Sequence, residues 1–230
     1  NYLSKVEKFP INLILASGLA ISKDNSDKIY DRFRNRLIVP IHDMQGRVVA
    51  FGGRSLDGQE PKYLNSPESE IFEKGKMLFA FEKASSDIRK RDKAIIVEGY
   101  FDVISLHSKG ITNSVASLGT ALNKYQISQL CRCTDNKNII LNFDSDNAGI
   151  LATKRVIKEV ETLSLHDQIN LKILQLSHFK DPDEYLNSHT PEDYFNLIDN
   201  SSFWIDWEID QIFKDQDLTK SEIFQSVISS

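Results

Sequence analysis

Six carboxylates stand in three short clusters, each beyond an apolar run. Ala94-Ile95-Ile96-Val97 leads into Glu98-Gly99, with Asp102 four residues after Glu98. Residues 138–143 lead into Asp144-Ser145-Asp146, and residues 171–176 precede Asp181-Pro182-Asp183 across a short polar stretch. Carboxylates gathered in one place repel one another unless cations neutralise them. Hard oxygen donors of this kind suit Mg²⁺, which keeps several waters and also binds substrate phosphates. The pattern points to metal-dependent phosphoryl transfer.

For that chemistry the clusters must meet, and the patterning supplies a means. From about residue 92 to 186 strand-like and helix-like runs alternate. Strands are expected near 93–97, 112–116, 138–143 and 171–176, and helices near 102–108, 123–131 and 147–163. Such alternation predicts a parallel sheet with helices on both faces. The carboxyl ends of its strands share one edge, where ligands bind. The N-terminal third reads as a small α+β module, with a helix over 12–20 that has Gly18 near its end. Strands over 37–41 and 48–54 follow, joined by a turn at Gly46. After Asp193 the apolar spacing becomes helical to the end. The expected fold class is α/β, organised as a basic α+β subdomain (1–91), a catalytic α/β subdomain (92–190) and a truncated helical subdomain (191–230). A start at Asn1 and a stop in mid-pattern at Ser229-Ser230 lead us to expect a piece of a longer protein.

Each motif has a competing structural reading. Glu98 after a strand could serve as general acid/base or as a metal ligand, although Glu-Gly there is common. Asp102 is also favourable simply as an acid in the first turn of a helix. Asp144 and Asp146 alternate on an extended strand end and can share a cation; helix capping accounts for Asp146 but leaves Asp144 unexplained. Asp181-Pro182-Asp183 alone reads as a turn. The combination of three acid clusters at three strand ends favours the functional reading.

Arg32, Arg34 and Arg36 alternate, so in an extended conformation their guanidinium groups share a face suited to phosphates. Lys62-Tyr63-Leu64-Asn65 adds a cation, a ring and an amide near a flexible stretch, and Lys74 and Lys76 flank Gly75 in an exposed-looking loop. The competing reading for all of these is a solvated charged face. Gly119 precedes a helix and reads as a tight turn, and Trp204 and Trp207 as packing residues.

Composition narrows the classes. The chain has 230 residues and a net charge of -5 at pH 7, but the charge is divided between a basic stretch from Lys28 to Lys62 and an acidic one beyond Asp181. That split implies a local electropositive surface rather than a generally basic protein. No apolar run approaches the roughly 20 residues of a membrane span, and no leader pattern is present. Cys131 and Cys133, with five scattered histidines, make a poor zinc site. They fit reduced thiols in a reducing compartment.

The ordered blocks resemble a known family. Residues 30–41, 46–54, Pro61-Lys62-Tyr63-Leu64-Asn65-Ser66-Pro67-Glu68, Val97-Glu98-Gly99-Tyr100-Phe101-Asp102-Val103, 116–122, Phe143-Asp144-Ser145-Asp146-Asn147-Ala148-Gly149 and Lys180-Asp181-Pro182-Asp183-Glu184-Tyr185 are similar, in order, to the RNA polymerase domain of bacterial DnaG-type primases. The acid clusters resemble its toprim signature, which is shared with some topoisomerases and nucleases. The resemblance implies RNA primer synthesis on single-stranded DNA from ribonucleoside triphosphates. Glu98 would be general acid/base or ligand, and Asp102, Asp144, Asp146, Asp181 and Asp183 would organise Mg²⁺, with Mn²⁺ able to substitute. Arg32, Arg34, Arg36, Arg54, Lys62, Tyr63, Asn65 and Lys74 would contact template or nucleotide. Ser145 stands where the family often has Gly. The family's zinc-binding domain and its domain for the replicative helicase are not visible in this chain. A monomeric core in the bacterial cytoplasm, at the replication fork in the nucleoid, is the implied setting, with an organelle as another. Two alternatives stay open: a toprim nuclease or topoisomerase-like enzyme that cleaves strands, and a non-enzymatic nucleic-acid- or nucleotide-binding module.

Overall fold

The computed structural model describes residues 2–22, 29–167, 169–176 and 178–214. A π-helical turn (Tyr2–Val6) and α1 (Ile11–Ala16) lead to a two-stranded ribbon of β1 (Ala20–Ser22) and β2 (Ile29–Asp31). Helix α1 is shorter than expected: the chain turns at Gly18, whose φ of 70° ends it, and Ala20 is already in a strand. A three-stranded antiparallel sheet follows, formed by β3 (Arg36–His42), β4 (Val48–Ser55) and β5 (Tyr63–Asn65). Pro40 is tolerated because β3 is an edge strand, and Gly46, at φ 76°, makes the turn into β4.

Helix α2 (Phe81–Arg91) precedes the main sheet: β6 (Ala94–Val97), α3 (Tyr100–Ser108), β7 (Ser114–Ala116), α4 (Lys124–Cys131), β8 (Asn138–Asn142), α5 (Asn147–Asp167) and β9 (Asn170–Ile173). Strands β9, β8, β6 and β7 lie parallel in that spatial order. Their apolar runs are continuous because both faces are covered. Ala94 and Ile96 of β6 enter one buried cluster with Ile127 and Val156; Ile95 and Val97 enter the other with Val103, Tyr185 and Tyr194. The second cluster also takes in Ile41 and Ala50, so the three-stranded sheet is packed against the α3 side of the main one.

Beyond β9 come α6 (Pro182–Leu186), α7 (Pro191–Asp199), β10 (Ser202–Phe203) and α8 (Trp204–Lys214). The fourth predicted strand stops at Ile173, and the C-terminal segment is not helical throughout: β10 adds an antiparallel edge to β9. Trp207 is buried against the sheet. Lys28 and the end of the expected helical region, 215–230, lie outside the described residues. Among the described residues, no helix is long and apolar enough to cross a membrane.

Candidate functional site

The chain leaves β6 for β7 on one side of it, then crosses back to place β8 on the other side. The order therefore reverses between β6 and β8, and a crevice opens beyond the carboxyl ends of strands at such a point. Val97 and Asn142 are register partners there, so the residues that follow them, Glu98 and Phe143-Asp144, leave the sheet side by side. Glu98 Oε1 accepts the Asp144 main-chain N–H at 3.1 Å. Beneath them Asn142, 2% exposed, accepts the Tyr194 hydroxyl at 2.6 Å and donates to the Leu174 carbonyl at 3.2 Å. A buried polar network thus fixes the end of β8.

Asp102 lies in the first turn of α3 and its Oδ2 accepts the Gly99 N–H at 3.0 Å. Asp181 caps α6 by accepting the Glu184 N–H at 2.9 Å, with Pro182 at the first helical position. Asp183 accepts the Ser105 hydroxyl at 2.6 Å, which links α6 to α3. Glu98, Asp102, Asp144, Asp181 and Asp183 line one cleft of about 640 Å³, and Asp146 does not. Asp146 is exposed, and its Oδ1 accepts the Gly149 N–H at 2.9 Å, the capping role that competed for it in the sequence.

The acids disturb one another as a convergent set should. Burial pushes Asp102 up to about 6 against the bond from Gly99, and Asp181, Asp144 and Asp183 add to the rise. Burial raises Glu98 too, with Asp144 next. Asp144 is raised by burial, while Lys180 pulls the other way, Asp181 and Asp146 push up, and Lys62 pulls down. Desolvated carboxylates in mutual repulsion are a donor set that fits a hard divalent cation. Among the described residues no three such side chains close into a cage around an ion. An open set still suits Mg²⁺, which retains waters and takes phosphate oxygens.

The opposite wall comes from the three-stranded sheet and carries Arg54, Lys62, Tyr63 and Asn65. Within Lys62-Tyr63-Leu64-Asn65, residues 63–65 form β5. The Arg54 guanidinium lies 4.9 Å from the Phe101 ring centre, and the Lys62 ammonium 5.5 Å from that of Tyr63. Asn65 Nδ2 donates to the Leu118 carbonyl at 2.9 Å. Gly119, at φ 75°, makes the turn beside it, where a Cβ would come within 3.3 Å of that Nδ2.

The three alternating arginines do not share a face. β2 ends at Asp31, Asn35 takes φ 51°, and the run between is not extended. Arg32 donates to the Asn65 carbonyl at 3.1 and 3.3 Å. Arg36 donates to the carbonyls of Gly53 and Lys62 at 3.3 and 3.4 Å. Both stitch the small sheet together, while Arg34 lines a separate cavity with Tyr2 and Phe33. Lys74 belongs to a 3₁₀ turn (Lys74–Lys76); Gln126 Nε2 donates to the Lys74 and Met77 carbonyls, and Lys74 too lies outside the cleft lining. Sequence reasoning gave no role to Lys180, Ser105 and Tyr100, all in the cleft wall. Lys180 was legible as the residue before Asp181; Ser105 carried no signal, since only the fold brings α3 against α6.

Residues 1–85 match the family described as DNA primase catalytic core, N-terminal domain, and residues 95–186 match the Toprim-like family. A DNA primase of Synechococcus elongatus is 50% identical over 229 residues, which is 100% of this chain and 33% of that protein. The chain spans about a third of the length of the curated relatives it matches. The Escherichia coli primase catalytic core superposes with a TM-score of 0.84 at 33% identity, covering 99% of this chain and 72% of that one. A DnaG primase catalytic domain solved bound to single-stranded DNA gives 0.82 at 32% identity, over 97% and 71%.

Proposed function

The chain belongs to the DnaG-type DNA primase family, and from that premise we propose that it is the nucleotidyl-transferring core of a primase. It joins ribonucleoside triphosphates into short RNA on a single-stranded DNA template. The observation that carries this reading is one cleft with a carboxylate floor and a cationic, aromatic wall. Strand-cleaving toprim chemistry gives that wall no task.

Glu98, Asp102, Asp144, Asp181 and Asp183, with Asp146 at the rim, would hold Mg²⁺, for which Mn²⁺ substitutes. When bound, such ions polarise phosphoryl oxygens and lower the pKa of an attacking hydroxyl. The chain's own groups do the rest. Glu98 is the general base: its Oε1 is pinned by the Asp144 N–H, and burial and Asp144 raise its proton affinity. Its Oε2 takes the proton of the primer 3′-hydroxyl. Arg54 and Lys62 orient the nucleotide phosphates, and Tyr63 offers a face to a base or ribose. Asn65 sets the height of that wall through Leu118. Arg32 and Arg36 act by holding the strip that carries Lys62, while exposed Arg34 and half-buried Lys74 extend the surface along which a template backbone tracks.

In this reading residues 1–91 are the basic subdomain, 92–190 the catalytic one and 191–230 the start of a helical one. Contacts with the replicative helicase, and any zinc, belong to segments outside this chain. The test is incorporation of labelled ribonucleotides on a single-stranded template. RNA made with Mg²⁺ and lost with EDTA supports the proposal; nicking of supercoiled plasmid without RNA synthesis overturns it.

A further inference from the structure

Two lysines that line the cleft, Lys109 and Lys180, have no assigned task, and of the two Lys180 adjoins an acid of the floor. Lys180 is exposed, lines the cleft and directly precedes Asp181. Among the described residues, no carboxylate lies within ion-pairing distance of its ammonium group. Arg54 and Lys62, on the facing wall, rest over aromatic rings. The Lys180 side chain instead rises from a fixed stem. Its own N–H donates to Glu184 Oε2 at 2.7 Å, and the carbonyl just before it, that of Phe179, accepts the Ser145 hydroxyl at 3.4 Å. Ser145 sits between Asp144 and Asp146, so the Lys180 loop is tied to the loop that carries Asp144.

We infer that Lys180 is a second phosphate-binding cation, set across the acid floor from Lys62, and that it holds the β- and γ-phosphates of the incoming nucleoside triphosphate. The inference rests on the function proposed above and names a residue and a part of the substrate within it. Geometry and charge support the placement. Lys180 and Lys62 line the same cleft as Asp144, and the bond from the Ser145 hydroxyl to the Phe179 carbonyl holds the Lys180 loop at that point of the floor. A template backbone brought to that point would meet Asp144, Asp181 and Asp183 with only its own negative charge. A triphosphate arrives with its divalent cation and offers several oxygens that two ammonium groups from opposite walls can share. If Lys180 served only to offset the acids, its loss would affect the floor and leave the phosphate count of the ligand without influence.

The test is calorimetric binding of ATP and AMP, each with Mg²⁺, to the wild-type chain and to Lys180→Ala, Lys180→Arg and Lys109→Ala. Lys109 is a cation of the same cleft, at the far end of α3. Lys180→Ala should weaken ATP roughly fivefold to twentyfold and leave AMP within about twofold. Lys180→Arg should recover most of the loss, and Lys109→Ala should change neither ligand by more than about twofold. Equal losses for ATP and AMP, or an equal loss in Lys109→Ala, overturn the inference, because the effect is then that of net charge. So does a Lys180→Ala protein that binds ATP like wild type, or one whose loss appears as weaker oligo(dT) binding with a shallower salt dependence. Wild-type protein that binds no ATP removes the proposed function itself, and Lys180 with it.

Discussion

Glu98 accepts, through Oε1, the main-chain N–H of Asp144 at 3.1 Å, across the seam where the parallel sheet reverses its strand order. A bond between a side chain and a backbone group orients Glu98 without using the carboxylate of Asp144. The second oxygen of Glu98 and both oxygens of Asp144 are left for chemistry. It also makes the position of one acid depend on the loop of the other.

Glu98→Gln separates geometry from proton transfer. The amide oxygen can accept the same N–H, so melting temperature should stay near wild type or rise. Primer synthesis should fall about 10²-fold or more, the usual contribution of a positioned general base. Equal rates for the two proteins would remove Glu98 from the chemistry.

Gly149 is where α5 passes the Asp144 loop. A Cβ there would lie 2.0 Å from the Asp144 carbonyl oxygen and 2.9 Å from Glu98 Oε1. Helix propensity alone predicts that Gly149→Ala stabilises by roughly 1 kcal/mol. The contact predicts the opposite sign, a loss of about 1–3 kcal/mol together with loss of primer synthesis. Chemical denaturation decides between the two.

Asp102→Asn should raise the melting temperature of metal-free protein at pH 7 by roughly 2–5 °C. The folded carboxyl sits at about 6, above the roughly 3.9 of an unfolded Asp. This group therefore favours folding fully below about pH 4, and that contribution is lost as pH rises through about 6. The advantage of the variant should vanish at pH 4. Saturating Mg²⁺ should reverse the ranking at pH 7, because only the wild type gains the full stabilisation from the ion. A variant less stable than wild type with EDTA at pH 7 would contradict the charge argument.

Tyr194→Phe removes the hydroxyl that satisfies Asn142 at the buried end of β8. The unpaired Asn142 oxygen should cost about 1–3 kcal/mol. Urea denaturation would read this as a lower midpoint at unchanged slope. A midpoint within error of wild type would mean that Asn142 finds another partner.

The parallel sheet was legible because strands buried on both faces leave long apolar runs, and the acids at their ends mark one edge. Glu98, Asp102, Asp144, Asp181 and Asp183 do line a single cleft. The arginines misled because alternation encodes a shared face only in an extended chain, and Asn35 takes φ 51°. β5 was missed since three residues, Tyr63–Asn65, are too few to show a period. Asp146 carried two readings, cation ligand and helix cap; the structure shows the bond of the cap, from the Gly149 N–H to Oδ1, and leaves Oδ2 for the other role. Ser105 and Tyr194 could not be found, because their partners Asp183 and Asn142 lie 78 and 52 residues away.

The most direct test of the account is primer synthesis by wild type and Asp144→Asn on single-stranded DNA, paired with Mn²⁺ titration of both proteins. The account predicts short RNA and Mn²⁺ binding in the wild type, with both weakened at least about tenfold in a variant that still folds. Undiminished RNA synthesis and Mn²⁺ affinity in Asp144→Asn would contradict it.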